Sequence, residues 1–295
     1  MPEEVKTHEM AIALALAVIT TAGNLLVIVA LYKDPFRELR TTANYLLVNL
    51  AVADLIMGLV TEPLWALQYW LKENDSNKFK SNYSIAVDAI LVLAVEASNL
   101  TVLSLTIERY IVLERPLQRE ALFSGTAVKI SVFLIWLTAL VISSLLIPFW
   151  DQREYTLFLY AGIGVFLLFI MLGLYIRMFI IIRKFNKSLL AQGAQAALIQ
   201  PGQAYITARK REQQVAKAIF LFYGTFALCW LPSVVLRTIK YHEPKINEHI
   251  CRGLVFLGLL NSALNPVLYT FRMKSFRRAI KRVFDDFKVA CRQIL

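Results

Sequence analysis

The stretch SALNPVLYTF, residues 262–271, sets an Asn, a Pro and a Tyr inside an otherwise apolar run. A proline in a helix interior removes one backbone hydrogen bond and presses on the carbonyl four residues back. In hydrocarbon the freed carbonyl has to be met by a neighbouring helix, a hydroxyl or water, so this run reads as a kinked membrane helix with a polar filling. The composition agrees: of 295 residues 58% are hydrophobic and 18% charged, with mean hydropathy +0.56. Soluble domains average about 45–50% apolar and about 25% charged. Apolar segments recur at 9–32, 44–71, 85–107, 127–150, 155–182, 215–239 and 250–271. Each has the ~20 residues that a helix needs to cross ~30 Å of hydrocarbon. The expected fold is therefore an all-α membrane protein, a bundle of seven transmembrane helices over residues 1–271. Residues 272–295 form a C-terminal amphipathic surface helix and a short cytoplasmic tail.

That last piece, RMKSFRRAIKRVFDDF, lines Met273, Phe276, Ile280, Val283, Phe284 and Phe287 along one face and Lys and Arg along the other. The pattern suits a helix lying on membrane lipids; a solvated tail helix is the alternative.

Basic residues set the orientation. The linkers holding KDPFRELR, the stretch after Arg109, the 177–217 segment and the tail carry 23 of the 32 Lys and Arg. By the positive-inside bias these face the cytoplasm, which leaves the N-terminus outside and the C-terminus inside a multi-pass membrane protein. The net charge of +11 thus reads as topology. Binding nucleic acid needs such charge gathered on a soluble face, so no nucleic-acid partner is expected. Acids at Glu3 and Glu4 argue against a cleavable leader, and the first span acts as its own insertion signal.

Three cysteines, Cys229, Cys251 and Cys291, offer no extracellular disulfide framework, because Cys229 lies too deep to reach Cys251. Cys291 is a palmitoylation candidate or an incidental thiol. Asn74 and Asn82 head sequons in the first outer loop and are glycosylation candidates.

Polar groups at membrane depth are expensive and functional by default. Asn24 and Asp54 sit mid-span in the first and second helices. In the seventh, Asn261, Asn265 and Tyr269 recur at i, i+4, i+8 and share a face, with Ser262 beside them. In the third, Asp88, Leu91, Val95, Ser98, Val102, Leu105 and Arg109 share another. Aligned by depth, Asp54, Ser98, Asn261 and Asn265 converge. A carboxylate ringed by hydroxyl and amide oxygens suits an allosteric Na⁺, with Asp54 as the metal ligand, or a proton; the alternative is a purely structural network.

These landmarks together resemble the rhodopsin-like, class A G-protein-coupled receptors over nearly the whole chain: GN with Asn24, LAVADL with Asp54, ERY at 108–110, Trp136, CWLP at 229–232 and NPVLY at 265–269. The resemblance implies a cell-surface receptor in the plasma membrane, with no enzymatic activity and no cofactor beyond that Na⁺. Its partners are a heterotrimeric G protein and an extracellular ligand. It implies that Arg109 pairs with Glu108 and Glu212 at rest, beside Tyr110. On activation the sixth helix swings outward, and Tyr175 and Tyr269 stabilise the released Arg109. Phe226 and Trp230 correspond to a toggle, and Pro232 and Pro266 to hinges. The simpler reading of Glu108 and Arg109 is that both snorkel to the interface.

Departures narrow the subgroup. Ser84 stands where the family's third-helix Cys is usual, Leu167 where its fifth-helix Pro is usual, and Asn99 where an aliphatic is common. Loss of the disulfide and of that proline resembles the melanocortin, lysophospholipid and cannabinoid receptors. Leu91 replaces the acid of aminergic receptors and Leu259 the lysine of retinal photoreceptors. Glu62, Trp65, Tyr69, Asp88, Leu91, Arg237 and Arg252 remain as the ligand-binding set, mixed charges around aromatics that suit an amphiphilic lipid, a zwitterion or a short peptide. Arg237 alternatively snorkels to the outer interface. A constitutively active receptor without a ligand, and a transporter or channel, are the rival functions.

Overall fold

The computed structural model describes residues 3–34, 41–71, 77–118, 122–146, 153–193, 213, 220–221, 223–236, 238–239, 248–272 and 274–294, and among these no strand occurs. In hydrocarbon only a helix satisfies its own backbone, and the apolar runs obey. They form α1 (Glu3–Lys33), α2 (Thr42–Ile56), a π-helical turn (Met57–Thr61), α3 (Glu62–Leu71), α4 (Asn77–Glu114) and a 3₁₀ turn (Pro116–Gln118). Beyond these come α5 (Gly125–Leu146), α6 (Arg153–Gly193), α7 (Tyr223–Leu236), α8 (Glu248–Arg272) and α9 (Lys274–Ile294). The second span is α2, the π turn and α3 run together. Five of the spans are long and apolar enough to cross a membrane, and α7 and α8 carry shorter apolar stretches.

The third span, α4, stands in the middle of the bundle: 67% of its apolar window is buried, against 28%, 22% and 28% for α1, α5 and α6. It packs on α2, α5 and α6, while α1 packs on α2, α3 and α8. Large apolar side chains such as Val18, Phe133, Phe166, Phe169 and Leu228 point outward. In water they would be sticky patches; in a bilayer they meet lipid. At 41 residues α6 spans roughly 60 Å, twice the hydrocarbon thickness, so it outruns the membrane.

Two contacts explain why small residues stand where they do. A Cβ on Gly58, in the π turn, would come within 2.7 Å of the Thr21 hydroxyl, and one on Gly23 within 3.0 Å of Pro266. The first span therefore lies directly against both irregular points of the bundle. The π turn absorbs one extra residue and re-aims the side chains beyond it, Glu62 and Trp65 included. Nothing in the evenly apolar run 44–71 foretold it.

Thr41 caps α2, its side chain accepting from the Asn44 N–H, and the Thr42 hydroxyl donates to the Phe123 carbonyl, tying the segment between α4 and α5 to the second span. Helix α9 is strongly amphipathic. Phe276 and Ala279 join the core beside Val27 and Ala30, while Arg277, Arg278, Lys281 and Arg282 are exposed. The helix continues past the expected end at Phe287 to Ile294. Asn82 is exposed but lies inside α4, so its sequon is helical and not in a loop as expected.

Candidate functional site

The proline of α8 accounts for the centre of the bundle. Pro266 has no N–H, so the Ser262 carbonyl four residues earlier loses its helical donor. The Asn24 side-chain amide, from α1, donates to that carbonyl at 3.2 Å and to the Thr20 carbonyl at 2.9 Å. A buried amide thus supplies the donor that the broken helix lost, while its own Oδ1 has no hydrogen-bond partner.

One turn away, Asp54 is fully buried and both its oxygens are met. The Ser98 hydroxyl of α4 donates to Oδ1 at 3.3 Å, and the Asn265 amide of α8 donates to Oδ2 at 2.7 Å. The Ser262 hydroxyl also faces the carboxylate, and Asn261 is buried on the same helix. Asp54, Ser98 and Asn265, three of the four residues expected to converge, therefore meet across three helices, with Ser262 beside them. Among the described residues no group of three or more His, Cys, Asp or Glu gathers as for a metal ion. Oxygens for Na⁺ would come from Asp54, Ser98 and the amides, a hard donor set that fits that cation.

Beside it lies a network that pattern-reading did not assemble. Asn49 donates to the Thr101 hydroxyl at 2.7 Å and accepts from the Trp136 indole N–H at 2.8 Å. It pins α2, α4 and α5 together. Trp136 was recognisable as a landmark; its partner Asn49 was not.

Towards the C-terminal end of α4, Arg109 lies 2.8 Å from Glu108, both buried. A turn above, the Thr106 hydroxyl donates to the Val102 carbonyl at 2.7 Å, so the Tyr175 hydroxyl, 3.2 Å away, is the donor to Thr106. Tyr175 also stacks near Tyr223 and Phe220 of the sixth span, at centroid distances of 5.2 and 5.4 Å, and the Tyr223 hydroxyl donates to the Leu168 carbonyl. The fifth and sixth spans are thus joined just above Arg109. Tyr110 packs partly buried against the same core.

Higher up, the rings of Phe226 and Trp230 are 6.4 Å apart. Trp230 also lies so close to Gly258 that a Cβ there would approach its ring to 3.1 Å. Pro232 comes two residues later in α7, half-buried. At the end of the bundle opposite Arg109, Trp65 meets Phe256 edge-on at 5.0 Å, Leu91 is buried in the same cluster and Asp88 is half-buried. Glu62 departs from its expected place at an open mouth. It is fully buried, accepting from the Thr20 hydroxyl of α1 at 3.2 Å, because the π turn rotates it inward. Asn74, Glu212 and Arg237 lie outside the described residues, as do the side chains of Tyr69, Arg252, Tyr269 and Cys291.

One buried acid escaped the sequence reading altogether. Glu96 of α4, 1% exposed, lines a cleft together with Asn99, Gly164, Val165, Leu168, Phe226, Trp230 and Leu231. A mid-span glutamate was itself the signal, hidden because it lies off the inward face that carries Ser98.

Comparison with known proteins meets this geometry. Residues 23–269 match the family model described as the 7 transmembrane receptor (rhodopsin family). The chain is 30% identical to the histamine H2 receptor of Rattus norvegicus, over 91% of this chain and 77% of that protein. It is 24% identical to the adenosine receptor A2a of Homo sapiens, over 92% and 71%, and 22% identical to the adenosine receptor A2b of Gallus gallus, over 97% and 90%. With Asp54, Arg109, Trp230 and Pro266 each at its landmark in a helical bundle, the chain belongs to the rhodopsin family of seven-transmembrane receptors, non-enzymatic cell-surface proteins that couple to G proteins.

Proposed function

We propose that this receptor converts binding of an extracellular ligand into G-protein activation by outward movement of the sixth span, with the N-terminus outside and the C-terminus in the cytoplasm. The observation that carries the reading is the inner end of α4. Arg109 is buried against Glu108, and directly above it the Thr106–Tyr175 bond and the Tyr175–Tyr223 contact hold the fifth and sixth spans shut. Separating those rings opens a cleft beside Arg109, a two-state element of the kind a ligand can bias. Glu212 is the proposed further partner in the closed state, and Tyr269 the partner in the open one.

The outer residues Trp65, Tyr69, Asp88, Leu91, Arg237 and Arg252, with Glu62 beneath them, are the proposed ligand-facing set. The relatives are named for adenosine and histamine, which supports a small polar ligand over a peptide. Na⁺ at Asp54 is proposed as an allosteric stabiliser of the closed state.

The test is G-protein activation by the full chain in cells, with and without candidate ligands. Arg109→Ala is expected to abolish it at unchanged surface expression. Wild-type signalling by that variant would remove the coupling role, and full signalling without any ligand would make the chain constitutively active. Asp54→Asn is expected to erase any Na⁺ dependence of agonist affinity, measured against a potassium control.

A further inference from the structure

Glu96 is a deeply buried acid that neither the Asp54 network nor the inner switch uses. It shares a face of α4 with Asn99, three residues on. The Asn99 amide hydrogen-bonds the Glu96 side chain. That bond leaves Glu96 Oε2 and Asn99 Oδ1, both buried, without a hydrogen-bond partner. The two acceptors line one small cleft between α4, α6 and α7 with an enclosed space of about 30 Å³, room for a head group, and the rest of it is open mouth. Among the described residues no Lys, Arg or His lines it, so no cation there answers the carboxylate. An unanswered charge or acceptor at membrane depth is costly, and such groups mark binding sites by default. The floor is the Phe226 and Trp230 rings. The rim is Gly164, Val165 and Leu231, and Leu231 is 42% exposed on the outer surface of the bundle. The mouth therefore opens between α6 and α7 toward hydrocarbon.

We propose that this cleft binds a protonated primary amine carried on an apolar body. Its ammonium N–H groups donate to Glu96 Oε2 and Asn99 Oδ1 beside Phe226 and Trp230, and its apolar body leaves through the mouth into hydrocarbon. Two unfilled acceptors and no unfilled donor call for a donor-rich head; the apolar walls and the opening onto lipid call for an amphiphile. The placement against Trp230 rests on the receptor reading for its consequence, since filling this cleft would bear on the toggle. Binding itself does not depend on that reading.

The experiment uses the purified full chain in lipid nanodiscs without a G protein and follows its thermal stability with octylamine, 1-octanol and octyltrimethylammonium. Octylamine is expected to raise the midpoint by a few degrees as concentration passes well above Kd. The alcohol lacks the charge and the quaternary ion lacks N–H donors, so both should fail to match it. In Glu96→Gln the apparent affinity for octylamine should fall at least ~30-fold, as for truncating one side of a buried charge pair. Leu231→Trp, which plugs the mouth without touching a polar group, should block the shift while the free protein melts as wild type does. An equal octylamine shift in wild type and Glu96→Gln overturns the site, as does an equal shift with the alcohol. No shift in any protein also overturns it, leaving a cleft filled by water alone. A chain that binds octylamine yet never activates a G protein keeps this site and loses the receptor reading.

Discussion

Two of the carboxylates buried in the bundle, Asp54 and Glu96, differ in how far the protein answers them. Asp54 receives a hydroxyl on one oxygen and an amide on the other, from two different spans. Glu96 is met by its own helix neighbour Asn99 and has an oxygen to spare, facing a cleft. The first arrangement is closed: its donors are protein groups that must move together if the helices move. The second is open: its missing donor has to come from outside the chain. Burial alone does not separate an internal strut from a binding site. The count of protein donors on the buried acceptor does.

Truncation should expose this difference most sharply. Asp54→Ala leaves the Ser98 hydroxyl and the Asn265 amide facing an empty site, and unsatisfied buried donors cost about 1–3 kcal/mol each. We expect a loss of several kcal/mol, read as a marked drop in the melting midpoint of the purified chain. Glu96→Leu orphans one buried donor, the Asn99 amide, and fills part of an apolar cleft in return, so its midpoint should fall clearly less than that of Asp54→Ala. Equal destabilisation by the two variants would mean that Glu96 is as structural as Asp54.

The closed region was the legible one. Asn24, Asp54, Ser98, Asn265 and Pro266 announced themselves because each is a polar or ring-constrained residue in an apolar run, and their depths could be matched by counting turns. The pairing of Asn24 with the carbonyl freed by Pro266 was not legible, since it depends on how closely Gly23 lets α1 approach. Glu62 was read at an open outer end and lies buried against Thr20 because a π turn shifts the helical phase, and a five-residue turn of MGLVT carries no sign of that in its composition. Glu96 was missed by following one face of α4, the face with Ser98; the adjoining face carries Glu96 and Asn99. Asn49 shows the same limit, because its value lies in joining Trp136 to Thr101 across two helices.

Crowding between the two regions supplies the next test. Gly258 of α8 abuts Trp230, which is also the floor of the Glu96 cleft, and a Cβ at that position would sit 3.1 Å from the ring. The ring is rigid, so it must tilt, and the empty space beside it is the cleft. Gly258→Ala should lower stability by about 1–3 kcal/mol, as overpacking does. It should also weaken octylamine binding, while leaving the Asp54 hydrogen bonds and any Na⁺ dependence intact. A variant that disturbs Na⁺ dependence but not amine binding would reverse the assignment of Trp230 to the open region.

The smallest effect is expected where the closed region is held by a single replaceable bond. The Trp136 indole donates to Asn49 at 2.8 Å, and Asn49 keeps its separate bond to Thr101. Trp136→Phe retains most of the ring's packing against α4 and removes only the donor. Hydrogen bonds between membrane helices average ~0.6 kcal/mol and reach ~1.7 at most, because the unfolded chain in the bilayer also finds partners. The loss should therefore be about 0.5–1.5 kcal/mol, visible as a small fall in the melting midpoint with ligand binding and G-protein activation retained. Asn49→Ala should cost more, since it orphans the indole N–H and removes the link from α2 to α4 as well. If the two variants prove equal, the Thr101 bond carries nothing and the strut consists of Trp136 alone. If Trp136→Phe costs more than Asn49→Ala, the tryptophan acts through shape, and the closed region is held by packing more than by its hydrogen bonds.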